Sequence, residues 1–236
     1  MSKDAPENSA QPKLDPAELD PPEPRWPAIV AILATVGLIT ALPSTMVVFP
    51  RTYEAIIILV LVVPLTLSHH LAWHRTNVIL GHVLSGVMTL FLITSLALLI
   101  QAIPRHTETP AAMLRSAACL WVTNVLVFAL WYWRLDAGGP RGRDQRLGHP
   151  DGAFLFPQMA LAATDAPKTP KKQARKEFPW SPQFVDYLFL AFNTSTAFSP
   201  TDSPILSRWA KVLTMIQSMI SLAIVALLAA RAVNIF

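Results

Sequence analysis

Apolar and polar positions in this chain fall into long blocks rather than into the fine alternation of a soluble fold. Between Arg25 and Arg51, Glu54 and Arg75, and Arg75 and Arg105 there is no Asp, Glu, Lys or Arg, leaving uncharged gaps of 25, 20 and 29 residues. A hydrocarbon core ~30 Å thick is crossed by ~20 mostly apolar helical residues, so each gap is long enough for one span. The pattern predicts spans at 27–49, 55–71, 78–103 and 111–133, and a last one at 205–233. Pro43 interrupts the first, which shortens its regular helix to 28–42. The third carries small residues at helical spacing, Gly81 with Ser85 and His82 with Gly86, which predicts a close helix neighbour. The fourth ends in Trp131, Tyr132 and Trp133, an aromatic belt followed by Arg134.

The segment 184–202, FVDYLFLAFNTSTAFSPTD, breaks this rhythm. Its strongly apolar part is only Tyr187 to Phe192, hydroxyl-bearing residues follow, and Pro200 stops any helix near Phe198. A helix of ~15 residues covers ~22 Å, too little to cross. A re-entrant half-helix is therefore expected, seated against the last span, because irregular backbone at membrane depth persists only inside protein or beside water. The expected fold class is an all-α membrane protein, a polytopic bundle of about five transmembrane helices plus one re-entrant pore-like half-helix.

Composition agrees. The chain is 53% hydrophobic and 14% charged, with a mean hydropathy of +0.41, against the ~25% charged of soluble domains. The net charge of +4 gathers beside apolar spans, which favours membrane topology over nucleic acid as its explanation. Residues 1–26 form an acidic, proline-rich tail expected to be disordered. A four-span bundle at 27–134 follows, then a basic Pro/Gly-rich linker at 135–182, then 183–236 with the half-helix and last span. A cytoplasmic N-terminus places 15 of the 19 Lys and Arg residues inside, which the positive-inside rule favours. In the linker, Lys168, Lys171, Lys172, Arg175 and Lys176 are expected to meet anionic lipid headgroups. Cys119 lacks an intrachain disulfide partner and reads as a packing residue.

The Thr-rich turn, its closing Asp and the long helix after it resemble the pore loop and inner helix of potassium channels, whose signature is roughly T-x-T-T-V-G-Y-G-D. The matching positions are Thr194, Thr196 and Asp202. The filter glycines fall on Ser199 and Thr201 and the tyrosine on Pro200, so the filter is degenerate and potassium selectivity is not expected. As a whole the chain is similar to a family of uncharacterised bacterial integral-membrane proteins with ALWYW, GGP, FLFPQM, F-x-DYL and TAFSPTD blocks, a likeness that implies no function.

Two readings of the module follow. As a cation pore in a homo-oligomer, Asn193, Thr194, Ser195, Thr196, Ser199, Thr201 and Asp202 would line it, together with the polar stripe Gln217, Ser218 and Ser221 of the last span. As a non-conducting scaffold or partner subunit, the same groups bond to neighbouring backbone. A third reading, metal or haem held by His69, His70, His74 and His82, has no accompanying carboxylate or Cys. Asp186 is read as a helix-start acid, and Glu54 as an acid near a watered span end. The sequence predicts no enzyme, no cofactor and no metal: phosphate loop, nucleophile elbow and paired catalytic carboxylates are all missing. The apolar island 154–159 is too short to span and is expected to rest on the membrane surface or the bundle.

Overall fold

A computed structural model describes residues 22–47, 50–70, 73–105, 108–144, 152–159, 180–196 and 203–233, apart from the side chains of 51, 68–70, 74 and 231–233. The described residues build helices α1 (Trp26–Thr40), α2 (Arg51–His70), α3 (His74–Arg105), α4 (Pro110–Leu135), the short α5 (Gly139–Asp144), α6 (Phe184–Thr196) and α7 (Arg208–Val233). Three windows, Arg75–Arg105, Pro110–Asp144 and Arg208–Ala230, are long and apolar enough to cross a membrane, while Trp26–Thr40 and Thr52–Leu67 are apolar but shorter. The protein is thus all-helical, with a membrane-compatible core.

Local chemistry sets the helix ends. Pro43 has no N–H to continue α1 and disfavours helical backbone at Leu42, so the chain leaves α1 and makes a short 3₁₀ turn at Ser44–Met46, burying Met46 completely. At the start of α4 the Thr109 hydroxyl accepts the Ala112 N–H at 3.2 Å, with Pro110 in the first turn, where its missing donor costs nothing. Beyond α4 the backbone turns sharply through Ala137 (φ 50°), Gly138 (φ 79°) and Gly139 (φ 78°). A Cβ on Gly139 would lie 2.8 Å from the Arg134 carbonyl, so glycine answers both the backbone angle and the close approach.

Helix α4 is the hub. Helices α1, α2, α3 and α4 each contact the next and α1 contacts α4, which closes a four-helix ring; α6 and α7 pack on the other side of α4. Side chains along α4 show how the last two helices run. At one end Trp133 meets Phe184 edge to face at 5.7 Å; near its middle Trp121 meets Phe192 at 5.7 Å. The 13 residues of α6, about 20 Å at 1.5 Å each, therefore cover only half the length of α4. Residues 203–206 then lie back at the starting end, where Phe154 and Ile205 form an antiparallel bridge, with Leu155 N–H to Pro204 O at 2.9 Å and Leu206 N–H to Ala153 O at 2.8 Å. Helix α7 begins there and runs the full length of α4, reaching Leu99, Met113 and Ala117 with Leu227.

Several expectations are corrected. Tyr132 and Trp133 are not a lipid-facing belt: both are buried, at 0% and 4% exposure, because each has an inward hydrogen-bond partner described below. The space at Gly81 is filled by the Arg134 side chain rather than by a neighbouring helix backbone, and a Cβ on Gly86 would meet nothing within 4 Å. Glu54 is buried rather than watered. Of the two positions expected for the 154–159 island the bundle is the one observed, with Phe154 and Phe156 buried and the Phe154 ring 5.2 Å from Tyr132, 6.2 Å from Tyr187 and 6.1 Å from Trp209.

Candidate functional site

The last carbonyls of any helix lack intrahelical donors, and away from water they need other partners. Helix α6 ends beside the middle of α4 and α7, and hydroxyls meet this need. The Thr196 hydroxyl donates to Asn193 O at 3.3 Å, Ser218 to Thr194 O at 3.4 Å, and Ser221 to Ser195 O at 2.6 Å. One turn earlier, Gln217 Nε2 donates to Ala191 O at 2.7 Å and to Ser195 Oγ at 2.8 Å, while the Tyr132 hydroxyl donates to Gln217 Oε1. From α4, Asn124 Nδ2 reaches Gln217 O at 3.3 Å and Trp121 Nε1 reaches Ser221 Oγ at 3.2 Å. The 217–221 stripe thus closes the end of the half-helix. Gln217, Ser221, Thr194 and Ser195 are buried, Asn193 is partly buried, and Thr196 and Ser218 are exposed. Ser199, Thr201 and Asp202 lie outside the described residues, as do Lys168, Lys171, Lys172, Arg175 and Lys176.

A second polar centre sits where α6 begins. Asp136, fully buried just past α4, accepts the Tyr187 hydroxyl at 2.6 Å and the Ala153 N–H. Arg143 of α5 folds back beneath α4 and donates through Nη1 to Trp133 O at 2.9 Å and Asp136 O at 3.0 Å, and through Nη2 to Glu23 Oε2 at 2.9 Å. A cation on these carbonyls is favoured by the dipole of α4. The guanidinium also lies 4.9 Å from the Tyr187 ring centre, a cation–π distance. Glu23 accepts Trp133 Nε1–H at 2.6 Å through its other oxygen and donates its N–H to Asp144 at 3.0 Å; Arg25 pairs with Asp144. Burial pulls the Arg25 guanidinium below its ordinary arginine pKa, against the opposing pull of Asp144 and Glu23. The described end of the tail, residues 22–25, is therefore docked against this centre.

Asp186 behaves as a helix-start acid, accepting the Gln183 N–H at 2.7 Å in the manner of a capping residue. Of the histidines, His82 Nδ1 lies 2.7 Å from Val78 O and its ring 5.9 Å from that of Trp131. The side chains of His69, His70 and His74 lie outside the description, and no metal-like cluster occurs among the described residues.

The starting end of the α1–α4 ring also encloses a cavity of about 620 Å³. Its walls are apolar toward the bundle interior, at Ala28, Ile32 and Leu65, and its rim carries Arg25, Arg134, Arg141 and Asp144. Sequence reasoning found the α7 stripe through its helical spacing. It missed Asp136, Arg143, Glu23 and the cavity, whose assembly brings residues 23–25 against 133–144, more than 100 positions away. No protein-family model, curated protein or solved structure matches the chain significantly.

Proposed function

We propose that this is a multi-pass protein of the cell membrane with five crossing segments, the first of them α1 together with the 3₁₀ turn that follows it, with α6 as a re-entrant half-helix and a cytoplasmic N-terminus, serving as a non-conducting scaffold or partner subunit. The observation that carries the reading is the closed end of α6. A pore needs free polar groups facing water, whereas here Gln217, Ser221 and Ser195 are buried and bonded to one another or to the end of the half-helix. A pore reading keeps one foothold, since Thr196 and Ser218 face outward, where a second copy would meet them.

Planar-bilayer recordings of the reconstituted protein separate these readings. The expected result is no cation current; a cation conductance abolished by Asp202→Asn would restore the pore.

The topology has its own test. In a Cys119→Ser background, cysteines at Val185, in the first turn of the half-helix, and at Leu206, just before α7, both exposed, should react with a membrane-impermeant maleimide from the cytoplasmic face only. Reaction from opposite faces would make α6 a full crossing, and reaction of both from outside would invert the protein.

A further inference from the structure

Arg134 differs from Arg25 and Arg143 at this end of the bundle in having no carboxylate partner among the described residues. Arg25 and Arg143 are held by carboxylates. Arg134 makes no ion pair among the described residues, and its Nε is buried without a hydrogen-bond partner. Its guanidinium carbon lies 5.6 Å from the Trp133 ring centre, and the head is pressed against α3 at Gly81, where a Cβ would come within 1.9 Å of Nη1. Glycine at that position keeps open the space the head occupies. A shielded cation without a counter-charge is costly, and this one borders a cavity.

The cavity has two kinds of wall. Its rim presents three arginines against one aspartate, with Arg25 already engaged by that aspartate. That leaves Arg134 and Arg141 to face an incoming anion. Deeper in, Ala28, Ile32 and Leu65 offer hydrocarbon, with Thr66, Asn77 and His82 adding polar groups from α2 and α3. A volume of about 620 Å³ falls within the ~300–1,000 Å³ of ordinary ligand pockets. An anionic head over an apolar slot describes an amphiphile, and a guanidinium binds phosphate oxygens through paired N–H donors.

We propose that the mouth of the α1–α4 ring is a binding site for one anionic phospholipid, its phosphate on Arg134 and Arg141 and an acyl chain between Ile32 and Leu65. The site is distinct from the 168–176 linker cluster, whose expected lipid contact is a surface one. It does not require that the protein be non-conducting. In the orientation proposed above it opens toward the cytoplasmic leaflet.

The test is native mass spectrometry and thermal denaturation of the full chain in a non-ionic detergent, titrated with dioleoyl phosphatidic acid, dioleoyl phosphatidylcholine or inorganic phosphate. Phosphatidic acid is expected to bind one per chain and raise the midpoint of unfolding, at least tenfold more tightly than phosphatidylcholine, while inorganic phosphate at the same concentration has no effect. Arg134→Gln should weaken phosphatidic acid binding tenfold or more without lowering the unfolding midpoint of the lipid-free protein, because it removes an uncompensated buried charge. Ile32→Trp, which fills the slot but leaves the rim, should weaken it similarly. Replacing Lys171 and Lys172 by Gln should leave the one-to-one complex intact.

Equal binding of the two lipids, full binding by Arg134→Gln, or loss of the complex in the linker variant would each overturn the proposal. Stabilisation by inorganic phosphate alone would assign the site to a free anion instead. If Arg134→Gln fails to fold, Ile32→Trp and the comparison of lipids still decide the matter.

Discussion

Arg143→Met is expected to destabilise the folded protein by about 3 kcal/mol, at the lower edge of the ~3–5 kcal/mol for breaking a buried ion pair. The side chains of Arg143 and Glu23 are 1% and 7% exposed, so solvent screens the pair little. The substitution removes the donors to Trp133 O, Asp136 O and Glu23 together. It leaves Trp133 O without this donor, and Glu23 with the Trp133 Nε1–H and with Arg25, at 3.5 Å, as its one remaining cation among the described residues. For a chain of this size about 3 kcal/mol corresponds to a fall of roughly 6–12 °C in unfolding midpoint. Arg143→Lys should be intermediate, since one ammonium keeps the charge but lacks the planar fork that serves carbonyls and carboxylate at once. Glu23→Gln combined with Arg143→Met should cost less than the two single changes added, because the charge stranded by one is removed by the other. Thermal denaturation of the four proteins in detergent checks this, and a loss below about 1 kcal/mol for Arg143→Met would mean that water replaces the pair.

The same cluster shows where sequence reasoning reaches its limit. Features set by neighbouring residues were legible: Pro43 ends α1, Asp186 starts α6, and α6 is too short to cross. The polar stripe on α7 was legible as facing protein because its members share one helical face. That it meets the half-helix was legible too, since irregular backbone at membrane depth needs such a seat, but the individual partner atoms were not, because helix spacing names a face and not each group opposite it. Glu23 and Arg143 are 120 residues apart, and nothing local marks either as buried: one sits in an acidic tail, the other in a basic loop. Composition also misled at Trp131 to Trp133, where a run of aromatics beside an arginine reads as an interfacial belt. What turned Tyr132 and Trp133 inward was a buried acceptor for each, Gln217 and Glu23, and both come from distant segments. The 154–159 island was visible as a short apolar run, but its burial in the core was not, because it depends on Tyr132, Tyr187 and Trp209 converging on Phe154.

Gln217→Leu tests the anchoring of the half-helix directly. Gln217 is fully buried and ties three segments together: it accepts from Tyr132 on α4 and donates to Ala191 O and Ser195 Oγ on α6. Interhelical hydrogen bonds in membranes average only ~0.6 kcal/mol, because the unfolded state in lipid also finds partners, so three such bonds sum to about 2 kcal/mol. Leucine restores apolar packing but leaves the Tyr132 hydroxyl without its acceptor, and a buried unsatisfied group costs about 1–3 kcal/mol. The expected loss is therefore about 2–3 kcal/mol. It should be local: amide hydrogen exchange should speed up across 190–196 and stay unchanged in α2 and α3, which do not touch Gln217. Gln217→Glu should be worse than Gln217→Leu, since a carboxylate still accepts from Tyr132 but cannot donate to Ala191 O and brings a charge into an apolar site. If Gln217→Leu is as stable as the wild type and exchange at 190–196 does not change, the half-helix is held by its apolar face alone. The 217–221 stripe would then be free for another use, and the non-conducting reading would lose its main support.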